Sequence, residues 1–417
     1  MNDLDRLRRR TVRILVLGVA LGSTGHLAAL TVATVVAERL SGSPALAGTP
    51  AAAVVLGAAF GATILAWIMS QRGRRFGLAL GYLVGVGGAL VAVAGIVAGQ
   101  LMPLLAGSAL IGFGNSSNQL SRYAAADLFG LDRRASAIGT VVWAATVGAI
   151  VGPNLVAPSR VLAERLGLPD LAGPYLVPVL FVGLASLLSF MFLRPDPMEL
   201  AASRSDESGE SVAEPLSRIV RRPAVVAALV ALVVGQFVMV LIMTLTPLHM
   251  TTHGHDLGAV GFVISAHTFG MFALAPISGR LTDRFGSPPI VYAGTATLLV
   301  SGVLTAIAPP DSEVALLIAL FLLGWGWNLG FVAGSAMLTG GVSIAERTRI
   351  QGLADGLIWS TAALASLGAG VIVGTAGFAA LGVIAAALVL VPIAVLTLTR
   401  GRIPGAGGAG SFEPIGD

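Results

Sequence analysis

The chain has 417 residues, 55% of them hydrophobic and 11% charged, with 54 glycines and a mean hydropathy of +0.88, which excludes a water-soluble fold of this length. The net charge of +4 and pI near 10.3 would suggest nucleic acid in a soluble protein. Here the basic residues, all arginine, sit between apolar runs, so no nucleic-acid partner is expected and their placement reads as topology. Cysteine is absent, which removes disulfides, thiolate metal sites and thiol chemistry.

A basic start (Arg6, Arg8, Arg9, Arg10, Arg13) leads into an apolar run over 12–37, too long for a signal-peptide core and lacking a clear cleavage site. It is read as the first transmembrane helix. Runs of similar length follow at 48–70, 77–98, 101–127, 135–157 and 174–193. Composition then changes over 194–222, which holds Pro195, Pro197 and Pro215 and the acidic run Ser205-Asp206-Glu207-Ser208-Gly209-Glu210. This predicts a flexible linker. Six more runs lie at 223–250, 257–281, 288–308, 313–340, 350–373 and 375–399. The expected organisation is an all-α integral membrane protein: a six-helix bundle over 1–193, a cytoplasmic linker, a second six-helix bundle over 223–400 and a tail over 401–417.

With both termini inside, the cytoplasmic loops hold the N-terminal cluster, Arg72, Arg74, Arg75, Arg133, Arg134, the linker arginines, Arg280, Arg284, Arg347, Arg349, Arg400 and Arg402. The outside keeps Arg39, Arg160 and Arg165. This bias orients the chain as a multi-pass protein of a bacterial inner membrane with cytoplasmic termini.

The two halves repeat. After the second run comes Gln71-Arg72-Gly73-Arg74-Arg75, and after the eighth Gly279-Arg280-Leu281-Thr282-Asp283-Arg284-Phe285-Gly286. The fourth carries Gly112-Phe113-Gly114-Asn115 and is followed by Asp132-Arg133-Arg134; the tenth carries Gly324-Trp325-Gly326-Trp327-Asn328 and is followed by Glu346-Arg347-Thr348-Arg349. The pattern resembles the major facilitator superfamily over nearly the whole chain. That resemblance implies twelve helices in two bundles, a substrate site near the midplane and alternating access, in a transporter with neither enzyme activity nor resident cofactor. Gly279, Asp283, Arg284 and Gly286 match the superfamily's cytoplasmic turn. The first-half copy has Ser70 in place of the acidic residue. Gly139, Gly148, Gly152 and Pro153 on the fifth run resemble the pattern of proton-coupled drug exporters, with Val156-Ala157 where a glycine pair is expected. Small residues at such spacing also serve close helix packing and bending. Arg122 and Asp127, toward the inner end of the fourth run, are read as structural locks with cytoplasmic-loop partners.

Met239 and Met243 on the seventh run, and His267 and Met271 on the eighth, each stand four residues apart, so each pair shares a helix face. On two facing helices they would offer one imidazole and three thioethers, a donor set that suits Cu(I). The intervening His249, Met250, His253 and His255 repeat these ligand types at the membrane edge. His26 on the first run is a further candidate from the opposite half. Methionine is also a common gap-filler in packed helices.

Met239, Met243, His267 and Met271 match the Met-x-x-x-Met and His-x-x-x-Met motifs of the CcoA-like copper importers of the same superfamily. That resemblance implies copper as the transported substrate, carried into the cytoplasm for cbb-type cytochrome oxidase assembly. It also implies handover to a copper chaperone or a copper-exporting ATPase, by a protein acting as a monomer in the bilayer. An inside-negative potential of about 2.3 kcal/mol per charge per 100 mV would assist entry. The alternative is a proton-coupled carrier of a small organic molecule, either a drug-type exporter or a riboflavin importer, since related members are thought to move riboflavin.

Overall fold

A computed structural model describes residues 3–43, 46–202, 214–340 and 342–399. Among them every regular element is helical. The acidic run 205–210 and the tail 401–417 lie outside the described residues.

The first leg is α1 (Asp3–Ser41), followed by α2 (Thr49–Val97). The 49 residues of α2 would reach far beyond a bilayer. Gly73, at φ 85° and ψ 165°, breaks it into two antiparallel legs. Then come α3 (Leu101–Asp127), a fifth leg in three pieces, α4 (Arg134–Trp143), α5 (Ala145–Asn154) and α6 (Val156–Arg165), and α7 (Gly173–Phe192). In the segment read as a linker, α8 (Pro197–Ala202) and α9 (Leu216–Ile219) are ordered. Leu200, Ala201 and Ile219 are buried, so apolar side chains dock both ends of a stretch expected to be flexible throughout.

The second half opens with α10 (Pro223–Met243), extended by α11 (Thr246–Thr252). The eighth leg is α12 (Leu257–Thr268), a π-helical turn over Phe269–Ala273, and α13 (Ala275–Phe285), bent by 40°. Pro276 explains the break, because it has no N–H to continue the α-helical ladder. α14 (Ser287–Ile307), α15 (Glu313–Gly340), α16 (Ile344–Ala376) and α17 (Phe378–Thr399) complete the chain.

Nine of the described helices are long and apolar enough to span a bilayer, or ten with the bent eighth leg. The paired legs of α2 and the polar α3 account for the rest, so each of the twelve expected runs has its helix. α3 is polar for a membrane span because it carries Asn115, Ser116, Ser117, Asn118, Ser121 and Arg122, all of them buried. A helix with that much polar surface faces protein, with its lipid contact confined to the rest of its circumference. Glycines let it approach α2: a Cβ on Gly57 would lie 1.8 Å from the Ala109 carbonyl oxygen, and one on Gly107 2.5 Å from that of Gly88. Gly286 repeats the conformation of Gly73, at φ 85° and ψ 161°, so the half-repeat read from the sequence holds at the level of the backbone.

On the arginine-poor side, Arg39 and Arg160 both pair with Asp170, at 3.3 and 2.5 Å. These two external arginines therefore have a local structural reason.

The halves meet chiefly along two seams, α2 with α16 and α4 with α13. At the α4–α13 seam both oxygens of Asp283 accept backbone N–H groups at the N-terminus of α4, from Ala135 and Ser136 at 2.9 Å each. The negative charge also sits at the positive end of that helix. A Cβ on Gly279 would fall 2.6 Å from the Ala135 carbonyl oxygen, and one on Gly139 2.2 Å from that of Ala275. At the α2–α16 seam, where Ser70 replaces the carboxylate, Arg74 takes over. Its guanidinium is fully buried, bonded to Asp127 at 2.8 Å and to Gln351 at 2.5 Å. Arg347 approaches the other Asp127 oxygen at 3.7 Å.

These locks lie on the arginine-rich side, whereas α6, α11 and α12 at the opposite ends pack within their own halves. The molecule is closed on the arginine-rich side. Asp283→Asn removes the charge and leaves one amide oxygen for two donors, which weakens this closure. The expected result is a lower transport rate with substrate affinity within about twofold of the parent, since no binding group changes. Transport kinetics and equilibrium binding on the purified variant check it; a large affinity loss would show that the turn does more than lock.

Candidate functional site

A second buried contact bridges the halves, between Arg122 of α3 and Asp355 of α16, both about 1% exposed. Their contact is bidentate, Nη2 to Oδ1 at 2.5 Å and Nη1 to Oδ2 at 3.2 Å. The remaining donors are also used. Nη1 reaches the Gln119 carbonyl at 2.6 Å, Nη2 the Tyr123 hydroxyl at 2.9 Å and Nε the Ser335 hydroxyl at 3.3 Å. A guanidinium has five N–H donors, and here each has an acceptor, which is what allows a cation to sit inside a bilayer.

The Arg122 guanidinium lies between two rings, with its carbon 4.2 Å from the centroids of both Tyr123 and Phe331. Phe331 stacks on Trp327 at 4.4 Å and 18°, and Phe272 meets Trp327 edge-on at 6.1 Å. The indole N–H of Trp327 donates to Gln236 of α10 at 2.8 Å. An ion pair, a ladder of flat rings and an amide thus run from α3 through α15 to the seventh and eighth legs. Arg122 was expected to bind a loop residue, but its partner is a membrane-embedded carboxylate of the other half. Asp127 pairs with Arg74 and Arg347, both read from the sequence as loop arginines but placed here near helix ends, Arg74 just after the Gly73 break in α2 and Arg347 in the first turn of α16. Sequence reading passed over Asp355. The signal available was one carboxylate inside the 350–373 run, which is costly in a bilayer unless it has a function or a partner.

The methionine and histidine pairs are arranged differently from two facing helices. α10 packs on α15, α16 and α17, and α12 packs on α15. The helix between them is therefore α15, and the seventh and eighth legs do not lie face to face. Met239 is 6% exposed within the apolar core, and Met243 packs at its edge. His267 is 1% exposed, and its Nδ1–H donates to the Leu320 carbonyl at 2.9 Å. A carbonyl can only accept, so Nε2 carries the lone pair, and that atom is buried without a partner. Met271 lies in the π-helical turn, where its carbonyl accepts from Asn328 at 2.6 Å. Leu320, Gly324 and Asn328 recur every four residues on α15 and hold this leg, Leu320 by the His267 side chain and the other two by its backbone; a Cβ on Gly324 would fall 2.2 Å from the His267 carbonyl oxygen.

His26 belongs to a small cavity lined by Tyr82, Asn115, Asn118 and other first-half residues, so it is not brought to the second-half pairs. The segment expected as a capture loop is partly helical. His249 stacks on Phe378 at 4.0 Å and touches the His253 ring at 4.3 Å, beside a cavity of 490 Å³. His255 turns away to the Pro310 carbonyl at 3.1 Å. Met250 is fully buried, on the side of α11 that faces the core, and so is not an exposed capture ligand. Among the described residues no three His, Asp or Glu side chains are grouped as a metal site. Of the fifth-leg pattern, Gly139 packs across the seam, whereas Gly148 and Gly152 pack on Ser23 and Thr24 of α1, and Pro153 lies near the end of α5.

The model of the Major Facilitator Superfamily matches residues 13–264 and 250–414. The chain belongs to the major facilitator superfamily. It is a membrane transporter and not an enzyme. Within the superfamily it is 34% identical over 400 residues to the uncharacterized MFS-type transporter YdeG of Bacillus subtilis, covering 95% of this chain and 93% of that one. It is 33% identical over 399 residues to the riboflavin transporter RfnT of Brucella anthropi, covering 94% and 97%. The fold is similar to that of the human organic anion transporter MFSD10, with a TM-score of 0.73 at 18% identity over 93% of this chain and 99% of that one.

Proposed function

We propose that this superfamily member is a proton-coupled importer of a small organic solute with a flat ring system, with riboflavin as the first candidate. The observation that carries the reading is the Arg122–Asp355 pair joined to the Phe331–Trp327 stack, between the two halves. A carboxylate in that position can take a proton, which releases the guanidinium and its neighbouring rings to a planar, hydrogen-bonding solute. Alternating access would then carry proton and solute together. The similarity to a protein named as a riboflavin transporter supports the same solute class. The arginine bias supports cytoplasmic termini, and with them an outward-facing state for the arrangement described.

The second reading is copper import for cytochrome oxidase assembly. The observation that favours it is the unpartnered, buried Nε2 of His267, one helical turn before Met271. One experiment separates the two: uptake of labelled riboflavin, and cellular copper at limiting external copper, in cells with and without the protein. Riboflavin uptake is expected, with Met239→Leu/Met243→Leu close to the parent, because leucine keeps volume and apolarity and such swaps cost less than about 1.5 kcal/mol. Copper accumulation that the double variant loses, without riboflavin uptake, would make the thioethers ligands and overturn the organic-solute reading.

A further inference from the structure

On the membrane face of the first half, the second leg of α2 and α7 leave a groove of 420 Å³. Its floor is small, with the Ser186 hydroxyl donating to the Ala79 carbonyl at 2.8 Å and Gly183 beside it. Its walls are Phe76, Leu83, Leu187 and Phe190, the last three 58%, 51% and 49% exposed. From Phe76 to Val86 the groove follows the helix for about 15 Å, half of the roughly 30 Å hydrocarbon thickness and so the depth of one leaflet. Two arginines stand at its mouth on the arginine-rich side. The Arg72 guanidinium lies over the Phe76 ring at 5.2 Å and that of Arg75 over Phe190 at 5.6 Å. Neither forms an ion pair among the described residues. The neighbouring carboxylate, Asp196, accepts the backbone N–H groups of Arg74, Arg75 and Met198.

The second half supplies an internal comparison. With Gly73 aligned on Gly286, Arg72 and Arg75 correspond to Phe285 and Pro288, and Ala79 corresponds to Tyr292. The Tyr292 hydroxyl is bonded to Thr397 of α17 at 2.9 Å, so a large side chain bridges the two helices where Ala79 stands in the first half. The second half keeps one cation there, Arg284 over the Phe285 ring at 5.2 Å, but has Pro288 in place of Arg75, so the paired arginines belong to the first half.

We propose that this groove is a binding site for one anionic phospholipid of the leaflet on the arginine-rich side, with the headgroup phosphate on Arg72 and Arg75 and an acyl chain between α2 and α7. Juxtamembrane arginines attract anionic lipid, and an apolar groove one leaflet deep takes the chain that follows. The site is independent of the transported solute.

The test is native mass spectrometry of the full-length protein in mild detergent, titrated with phosphatidylglycerol or with phosphatidylcholine of the same chains. The parent is expected to retain phosphatidylglycerol preferentially. Arg72→Gln/Arg75→Gln should lower that preference by about thirtyfold, two charges being removed. Gly183→Leu should fill the groove and expel the lipid with both arginines intact, since a Cβ there meets only the Val86 methyl at 3.8 Å. Equal retention of the two lipids by the parent, or an unchanged preference in either variant, overturns the proposal.

Discussion

Asp355→Asn is expected to abolish transport and to lower stability at the same time. The pair is buried on both sides, with side chains 1% and 2% exposed, so the loss is not screened by water. Removing one partner of such a pair costs about 3–5 kcal/mol, because the remaining charge stays buried. Much of that cost belongs to the orphaned Arg122, so Arg122→Gln/Asp355→Asn should recover much of the protein abundance and thermal stability. It should not recover transport, because neither the titratable carboxylate nor the guanidinium is present. Solute uptake, membrane abundance and thermal unfolding of the two variants measure this together. An Asp355→Asn protein that transports at the parent rate would reduce the pair to a structural clamp.

The second large effect belongs to the α4–α13 seam. At Gly139 a Cβ would lie 2.2 Å from the Ala275 carbonyl oxygen, and the obstacle is backbone. Gly139→Val should therefore prise the seam open, inactivating a protein whose separate halves remain folded. Overpacking costs of about 1–3 kcal/mol shift a two-state balance by roughly 5- to 150-fold. Because the chain has no cysteine, a single Thr339→Cys reporter, fully buried in the closed seam, reads the shift without background. The parent should resist a thiol reagent applied from the arginine-rich side, and the Gly139→Val protein should react. An active variant with a protected reporter would mean that the halves do not separate along this seam. Gly57→Val, whose clash with Ala109 lies within one half, should instead fail to accumulate.

The legs were legible because bilayer thickness imposes a run length on the sequence, and the repeat because turns such as Gly279 to Gly286 need glycine at fixed places. The centre was less legible. Averaging hydropathy over 350–373 hides one carboxylate, and its partner lies 233 residues away. Only the three-dimensional arrangement shows that they meet. The i, i+4 rule placed Met239 with Met243 and His267 with Met271 on shared faces. It carried no information on the neighbouring helix, and α15 takes the place between them. Met250 illustrates the same limit at shorter range, since its position in a histidine-rich segment did not show which side of α11 it occupies.

The two seams differ in how they tolerate drift. Where Asp283 grips the main-chain N–H groups of Ala135 and Ser136, the hydrogen bonds themselves ask nothing of those two side chains, although Ala135 is buried and Gly139 and Gly279 must stay small for the backbones to approach. Across the molecule, the polar contacts of the other seam run between side chains, Arg74 to Asp127 and Gln351, and Arg347 to Asp127. A change at Arg74 or Asp127 leaves a buried charge or amide without its partner. Second-site suppressors of substitutions at these four positions should therefore arise among their side-chain partners, whereas loss of Asp283 has no side-chain partner to compensate it.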